Sequence, residues 1–218
     1  MAGASEWVDW HILTIGCLSR NRFWGESEAR AQRPARCTTT LLVSGDQRIL
    51  VDPSLPPEAM ATVLDERCGL RPEAIDLVYL THFHGDHRVG LEAFGAPILM
   101  AQAEIDYWRS ALPGDHRDRT RLDALRPAEG SLPDALTLLP LPGHTPGLTG
   151  LAFDAGEGRV VLAADAVMTR DFFAAKAGYF NNLDPEATRT SIERIGRSAD
   201  VVIPGHDNYF IVRPVRRG

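Results

Sequence analysis

Residues 76–87 read DLVYLTHFHGDH and hold the densest group of candidate metal ligands in this chain. The short apolar run at residues 77–80 predicts a buried strand, and three histidines and one aspartate then fall within residues 82–87. Neutral imidazole nitrogen and carboxylate oxygen are the usual ligands of zinc, or of manganese and iron where oxygen donors are more numerous. The stretch therefore predicts a metal site at the end of a strand.

Three later stretches repeat this plan. Residues 136–147 (LTLLPLPGHTPG), 160–165 (VVLAAD) and 199–207 (ADVVIPGHD) each lead from a short apolar run to a potential ligand: His144, Asp165 or His206. Such runs are typical of strands buried on both faces. Each residue alone is more often a surface, turn or core residue, but in this order after residues 82–87 they predict one metal centre.

The predicted ligands divide into two groups. One ion would be held by His82, His84 and His144, and the other by Asp86, His87 and His206. Asp165 has two carboxylate oxygens and could bridge the two ions. We expect the remaining histidines, His11 in a predicted first strand and His116 in a polar loop, to lie outside the centre.

The rest of the chain predicts strands alternating with helices. Residues 37–44 and 48–52 flank GDQ and predict a hairpin, and residues 56–69 predict a helix that stops at Gly69. Residues 182–198 predict a helix with Asp184 as its cap and Pro185 in its first position, whereas residues 19–36 predict a long loop. The pattern indicates an α/β chain of two packed sheets with helices on their outer faces, folded as a single domain over residues 1–218.

Composition limits the partners. The formal net charge of −6 argues against a nucleic-acid surface, which needs clustered Lys and Arg. The three cysteines Cys17, Cys37 and Cys68 form no C-x-x-C pair. Glu6 and Asp9 lie where a secretory signal would need a basic stretch and an apolar core, and no run approaches the ~20 apolar residues that span a bilayer. We therefore expect a cytoplasmic protein with no membrane partner.

The pattern H-x-H-x-D-H, followed by G-H-T-P-G, a strand-end aspartate and a late G-H, resembles the metallo-β-lactamase superfamily of metal-dependent hydrolases. The resemblance runs from about residue 38 to residue 211. It implies a four-layer αββα sandwich with a dinuclear site at one edge and the two ligand groups given above, bridged by Asp165.

Two branches of that superfamily share further features with this chain. Residues 167–195 followed by VVIPGHD resemble the acyl-homoserine lactonases, and residues 37–60 resemble small metallo-β-lactamase domain-containing proteins. The lactonases carry a tyrosine three residues after the bridging aspartate, where this chain has Met168. Lactone hydrolysis would then require Tyr179, Tyr209 or another donor.

The predicted centre suits carbonyl hydrolysis of a small molecule. Two divalent ions, Zn²⁺ first and Mn²⁺, Fe²⁺ or Co²⁺ as alternatives, would lower the pKa of a shared water toward about 7, so that a lactone, ester or thioester is attacked without a serine or cysteine. Asp86 and Asp165 are the predicted catalytic residues. Asp52 is a candidate for fixing an imidazole.

Further candidates would contact the substrate. They are Arg170 and Lys176 for an anionic group or the developing oxyanion, Tyr209 as a donor, and Phe23 and Trp24 of the 19–36 loop as cover for the site. Trp7, Trp10 and Trp108 would serve a core or a homodimer contact equally well.

Three rival functions remain open at this stage. A phosphodiesterase or nuclease would use the same metals on phosphorus, a persulfide dioxygenase-like enzyme would use one iron, and a binding module would have no chemistry.

Overall fold

Two β-sheets pack face to face in the computed structural model, which describes residues 7–213. The first sheet has the order β1-β2-β3-β4-β5-β6 and the second the order β11-β10-β9-β8-β7. The strands of the first are β1 (Asp9–Thr14), β2 (Thr39–Ser44), β3 (Gln47–Val51), β4 (Leu77–Leu80), β5 (Ile98–Met100) and β6 (Arg126–Pro127). Those of the second are β7 (Thr137–Pro140), β8 (Thr149–Ala155), β9 (Gly158–Ala164), β10 (Val201–Pro204) and β11 (Phe210–Ile211).

Five α-helices lie in the described part of the chain. They are α1 (Pro57–Cys68), α2 (Gln102–Ala111), α3 (Arg119–Asp123), α4 (Arg170–Ala175) and α5 (Pro185–Ser198). None of the helices within residues 7–213 has the length and apolar character needed to cross a bilayer.

Three apolar layers show how the sheets and helices stack. Residues on the inner faces, such as Val51 of β3 and Phe153 of β8, form one core between the sheets. The opposite face of the first sheet packs on α1 and α2, with Leu50 against Met60 and neighbouring residues. The opposite face of the second sheet packs on α5. Successive strand residues point to opposite faces, so this arrangement confirms the predicted αββα sandwich.

The predicted local elements are also present. β2 and β3 pair antiparallel around a turn in which Gly45 has φ 59°, α1 ends at Gly69 in the left-handed conformation, and the Asp184 side chain accepts a hydrogen bond from Ala187 N at the start of α5. Residues 19–36 form a loop with one short 3-10 turn at Arg22–Trp24.

Candidate metal centre

The candidate ligands follow the ends of strands in both sheets. The turn after β4 contributes four of them, and the segments after β7, β9 and β10 contribute one each: His82, His84, Asp86 and His87, then His144, Asp165 and His206. β9 and β10 run parallel, so their carboxyl ends reach the same edge of the sheet, where sites in such folds commonly form. The structure brings together all seven residues that the sequence predicts as ligands.

The first group brings three imidazole nitrogens together. His82 Nε2 is 3.0 Å from His84 Nδ1, which is 2.8 Å from His144 Nε2. Asp165 Oδ2 lies 3.2 Å from His144 Nε2 and 3.8 Å from His82 Nε2. All four ligand atoms lie within 4.8 Å of one another, so a single ion could contact each of them.

The second group consists of Asp86, His87 and His206, whose ligand atoms also lie within 4.8 Å of one another. His206 Nε2 is 3.6 Å from Asp86 Oδ2. The other oxygen of Asp165, Oδ1, is 3.2 Å from both His87 Nε2 and His206 Nε2. Asp165 therefore presents one oxygen to each group, as a bridging carboxylate would.

Asp52 fixes the orientation of two ligands from the sheet beneath them. Its Oδ2 lies 2.9 Å from His87 Nδ1 and accepts the Thr81 hydroxyl at 2.7 Å, while its Oδ1 accepts Thr81 N at 2.9 Å. Because the Thr81 hydroxyl donates to Asp52, it accepts from His82 Nδ1 at 3.2 Å. Both imidazoles then carry their proton on Nδ1 and direct the Nε2 lone pair into the centre.

Loops orient two more ligands. His144 Nδ1 donates to Asn182 Oδ1 at 3.1 Å, and the same oxygen accepts Tyr179 N at 3.0 Å, which identifies it as the amide oxygen. His206 Nδ1 lies 2.9 Å from the carbonyl oxygen of Arg36, the last residue of the 19–36 loop, and 3.2 Å from that of Cys17, which pairs with Arg36 just before the loop begins. These contacts leave the Nε2 lone pairs of His144 and His206 facing Asp165.

The protonation of the imidazoles that these hydrogen bonds set indicates whether a cation fits among the candidate ligands. Lone pairs that face one another and a carboxylate repel unless a positive charge lies among them. His87 Nε2 and Asp165 Oδ1 are both buried and have no hydrogen-bond partner within the described residues, although they are only 3.2 Å apart. A buried polar atom without a partner is costly, so the residues present fit a metal ion.

The pKa shifts of the candidate ligands also indicate that the centre needs positive charge. Burial, with His144 next, lowers the pKa of His84 to about 4, and burial also lowers the pKa of His82 and His144. Burial tends to lower the pKa of His206, but the carboxylate of Asp165 outweighs this effect, and the pKa is raised. Burial alone would raise the pKa of Asp165, but surrounding imidazoles hold it well below its usual range. The buried carboxylate thus needs nearby positive charge, supplied by protons or by a cation.

The pKa of His87 shows which carboxylates stabilise its protonated imidazole. Its pKa is raised well above the usual value although burial opposes the shift. A Cys37 thiolate would contribute, but burial raises the pKa of Cys37 to about 12, so the side chain remains a thiol at neutral pH. The attraction that acts on His87 at neutral pH therefore comes from the carboxylates of Asp165 and Asp52.

Glu104 of α2 ties the two ligand-bearing turns to each other. Its buried carboxylate accepts hydrogen bonds from the Thr145 hydroxyl at 2.8 Å, Gly147 N at 3.1 Å and the Trp108 indole at 2.6 Å. It also accepts the backbone N–H of Phe83. Since Trp108 packs edge-on against the His84 ring at 5.4 Å, Glu104 connects the surroundings of His84 with those of His144.

The backbone is strained or tightly packed where the centre forms. Asp52 and Ala164 have φ values of 51° and 45°, in the left-handed region that non-glycine residues rarely occupy. A Cβ on Gly205 would come within 2.1 Å of Asp165 Oδ1. Glycine before His206 therefore allows the β10 end to approach the carboxylate.

The five predicted substrate residues have no described contact with the seven candidate ligands within residues 7–213. Lys176 Nζ pairs with Glu193 of α5 at 3.1 Å, and the exposed Arg170 begins α4. Tyr209 packs edge-on against Trp10, Phe23 against Phe172, and Trp24 faces the Arg33 guanidinium at 5.6 Å.

Tyr179, a candidate replacement for the lactonase tyrosine, uses its hydroxyl in other contacts. The Tyr179 hydroxyl donates to Arg20 O at 2.9 Å and lies 3.1 Å from Ser19 Oγ. Met168 is buried with Leu18 and Phe172.

Sequence reasoning missed several residues that hold the ligands. Thr81 and Gly205 stand beside predicted ligands, and their position next to His82 and His206 is a usable signal. Asn182 and Glu104 lie far from the ligands in sequence, and no local pattern marks them. Trp108, predicted for a core or a dimer contact, packs against the core on the outer face of the first sheet and also contacts His84.

The comparisons with known proteins agree with this geometry. Residues 33–206 match the metallo-beta-lactamase superfamily model, and the chain belongs to this family.

Three relatives show its place within the family. The N-acyl homoserine lactonase of Bacillus thuringiensis is 28% identical over 169 residues, which cover 71% of this chain and 65% of the lactonase. The hydroxyacylglutathione hydrolase of Anaeromyxobacter dehalogenans is 33% identical over 78% of this chain and 60% of its own length. Metallo-beta-lactamase domain-containing protein 1 of Xenopus laevis is 30% identical over 78% of this chain and 71% of its own length. The chain thus spans less than two thirds of the lactonase and of the hydroxyacylglutathione hydrolase.

A solved structure matches the whole architecture. A variant of the B. thuringiensis lactonase AiiA, with N-decanoyl-L-homoserine bound at its active site, aligns with a TM-score of 0.69 over 92% of each chain at 22% identity. This match confirms the fold, and the relatives confirm the two branches that the sequence resembles.

Proposed function

We propose that this protein is a binuclear metal-dependent hydrolase that cleaves a small carbonyl substrate, a lactone, ester or thioester. The observation that carries the proposal is the position of Asp165. Its two oxygens face two separate ligand groups, and hydrogen bonds to the outer nitrogens of four histidines direct their Nε2 lone pairs toward that carboxylate.

Zinc is the proposed metal in both positions. His82, His84 and His144 would hold one ion and Asp86, His87 and His206 the other, with Asp165 shared. Three imidazoles and a carboxylate are ligands that zinc favours. When bound, the two ions would supply an activated water at neutral pH and a Lewis acid for the substrate carbonyl.

The protein side chains would position the reactants and move the proton. Asp86 is the proposed proton carrier, because a quarter of its side chain is exposed whereas Asp165 is buried. Its carboxylate would accept a proton from the attacking water and return it to the leaving oxygen or sulfur. Cys37 Sγ donates to the Asp86 carbonyl oxygen at 3.4 Å and would hold that backbone in place.

The names of two relatives support the carbonyl substrate class. One is an N-acyl homoserine lactonase and the other a hydroxyacylglutathione hydrolase, so lactones and thioesters are the first substrates to test. Lactone turnover would have to proceed without the tyrosine that Met168 replaces, since the Tyr179 hydroxyl donates to Arg20 O and the Tyr209 ring packs against Trp10.

The test pairs metal content with a substrate panel. Protein purified without added metal or chelator is measured by elemental mass spectrometry and assayed on a lactone, a thioester, a phosphodiester and a β-lactam. We expect about two zinc ions per chain and turnover of a carbonyl substrate, both lost in His84→Ala and Asp165→Ala while circular dichroism stays native. Cleavage of the phosphodiester alone would indicate a phosphodiesterase, and one iron with oxygen consumption a dioxygenase; either result overturns the proposal.

A further inference from the structure

A cavity of about 790 Å³ opens beside the metal centre, on the side of the ligand turn formed by residues 82–87. Gly85, which stands between His84 and Asp86 in the chain, forms part of its wall. Gly85 is exposed, and a Cβ built there would meet no atom within 4 Å. A molecule in this cavity would therefore lie directly against the backbone that carries ligands of both groups.

Arg88 also lines the cavity and is held firmly against the ligand turn. Arg88 donates through Nε to Phe83 O at 2.9 Å, lies over the Phe83 ring and forms a two-pronged ion pair with Asp118. The pair is mostly buried, with 11% and 15% of the two side chains exposed. The hydrogen bond from Arg88 lowers the pKa of Asp118, so the carboxylate stays ionised and paired.

One arginine in the cavity has no ion pair or hydrogen bond of its own within the described residues, because the carboxylate that attracts it, Asp118, already pairs with Arg88 and Arg121. The lining contains Arg88, Arg117 and Arg121 against Asp118 and Glu92, so three guanidinium groups face two carboxylates. Arg88 pairs with Asp118, and Arg121 pairs with Glu92 at 2.6 Å. Arg117 is exposed, and neither a hydrogen bond nor an ion pair holds its guanidinium within residues 7–213.

We propose that this cavity binds a carboxylate carried by the substrate, with Arg117 as its counter-charge and the Thr120 hydroxyl as a further donor. Thr120 lines the cavity beside Arg117 and is exposed. The planar guanidinium suits a carboxylate because it can donate two parallel hydrogen bonds. The inference rests on the proposed function for the scissile bond and adds that the acyl part of the substrate is anionic at its far end.

The charge of the whole chain sharpens the selection. With a formal net charge of −6, the chain as a whole repels an anion at long range, so an arginine without an ion pair beside the centre provides a local attraction. Lys176 and Arg170, which the sequence suggested for this role, lie elsewhere: Lys176 is paired with Glu193, and Arg170 is not part of the cavity lining.

The experiment compares a substrate that carries a free carboxyl group with the uncharged methyl ester of the same substrate. The substrates are the mono-S-phenyl thioester of adipic acid and the same compound with its free carboxyl group methylated. In the zinc-loaded protein we expect a higher kcat/KM for the acid, and we expect Arg117→Glu to lower the acid-to-ester ratio about tenfold. Arg71→Glu, which makes the same charge change on an exposed arginine outside the cavity, should leave the ratio unchanged.

A binding measurement separates this inference from the proposed hydrolysis. The monoanilide of adipic acid and its methyl ester are titrated into the zinc-loaded protein by calorimetry. Tighter binding of the acid, weakened by Arg117→Glu and by added salt, supports the cavity even if no thioester is cleaved, in which case the proposed function fails alone. Equal binding and an unchanged acid-to-ester ratio would overturn the cavity proposal even if both thioesters are hydrolysed.

Discussion

Two pairs of candidate ligands in the candidate metal centre are held in different ways. His82 and His87 are fixed from within the first sheet, because Asp52 and Thr81 at the ends of β3 and β4 contact both rings. His144 and His206 are fixed by loops, through the Asn182 side chain and the backbone carbonyls at the base of the 19–36 loop. The first pair shares one buried support, whereas each member of the second has its own.

This difference predicts how a substitution in a supporting residue affects the two groups of candidate ligands. A change in the shared support should weaken both metal positions, since His82 belongs to the first ligand group and His87 to the second. A change in a loop support should weaken one position only. Each variant below therefore tests whether the supports act together or separately.

The largest effect is expected for Asp52→Asn. Its amide oxygen can still accept Thr81 N, but the amide nitrogen would then face His87 Nδ1 and force the imidazole proton onto Nε2, the nitrogen that faces Asp165. The Thr81 hydroxyl also loses its acceptor. We expect zinc affinity to fall about 10- to 100-fold at both positions, measured by competition with a chromophoric chelator.

Asp76→Asn is the matched control for that variant. Asp76 also accepts a backbone hydrogen bond at a strand of the first sheet, from Arg48 N at 2.8 Å, but lies on the surface. Its zinc affinity should equal that of the wild type. Loss of only one zinc in Asp52→Asn would show that Asp52 does not support the two groups jointly.

Glu104→Gln tests the link between the two regions. A carboxylate accepts four donors here, and the amide would turn its NH₂ toward at least one of them, leaving a buried donor unpaired. We expect about 2 kcal/mol lower stability toward unfolding, measured by denaturant titration. The exposed Glu129→Gln, at the N-terminus of α2, should cost much less, and equal losses for the two variants would contradict the role assigned to Glu104.

A smaller and more local effect is expected for Asn182→Leu. Leucine keeps the approximate volume but removes the acceptor of His144 Nδ1–H, so the imidazole is free to rotate or to change tautomer. Zinc affinity should fall about tenfold in the first group and stay unchanged in the second. The neighbouring exposed Asn181→Leu serves as the control, and an equal loss at both positions would place Asn182 among the shared supports.

The two kinds of support also differ in how well the sequence predicts them. Ligands and Asp52 stand at the ends of apolar runs, where the strand pattern itself fixes their place at the edge of a sheet. Asn182 and Glu104 reach His144 and its turn only through tertiary packing of α5 and α2, which no spacing encodes. The same limit explains Lys176: it is close to Asp165 in sequence, but α4 lies between them and its ammonium pairs with Glu193 of α5.

The smallest effect is expected for Tyr179→Phe, which loosens the 19–36 loop without touching a ligand. The lost hydroxyl bonds Arg20 O and Ser19 Oγ, at a cost of about 1 kcal/mol. The loop ends are still joined by the backbone pairing of Cys17 with Arg36, and these two residues supply the carbonyls that fix His206. Zinc affinity should therefore match the wild type, whereas limited proteolysis within residues 19–36 should be faster than in Tyr107→Phe. A loss of zinc from the second group would show that His206 depends on the whole loop and not only on its paired ends.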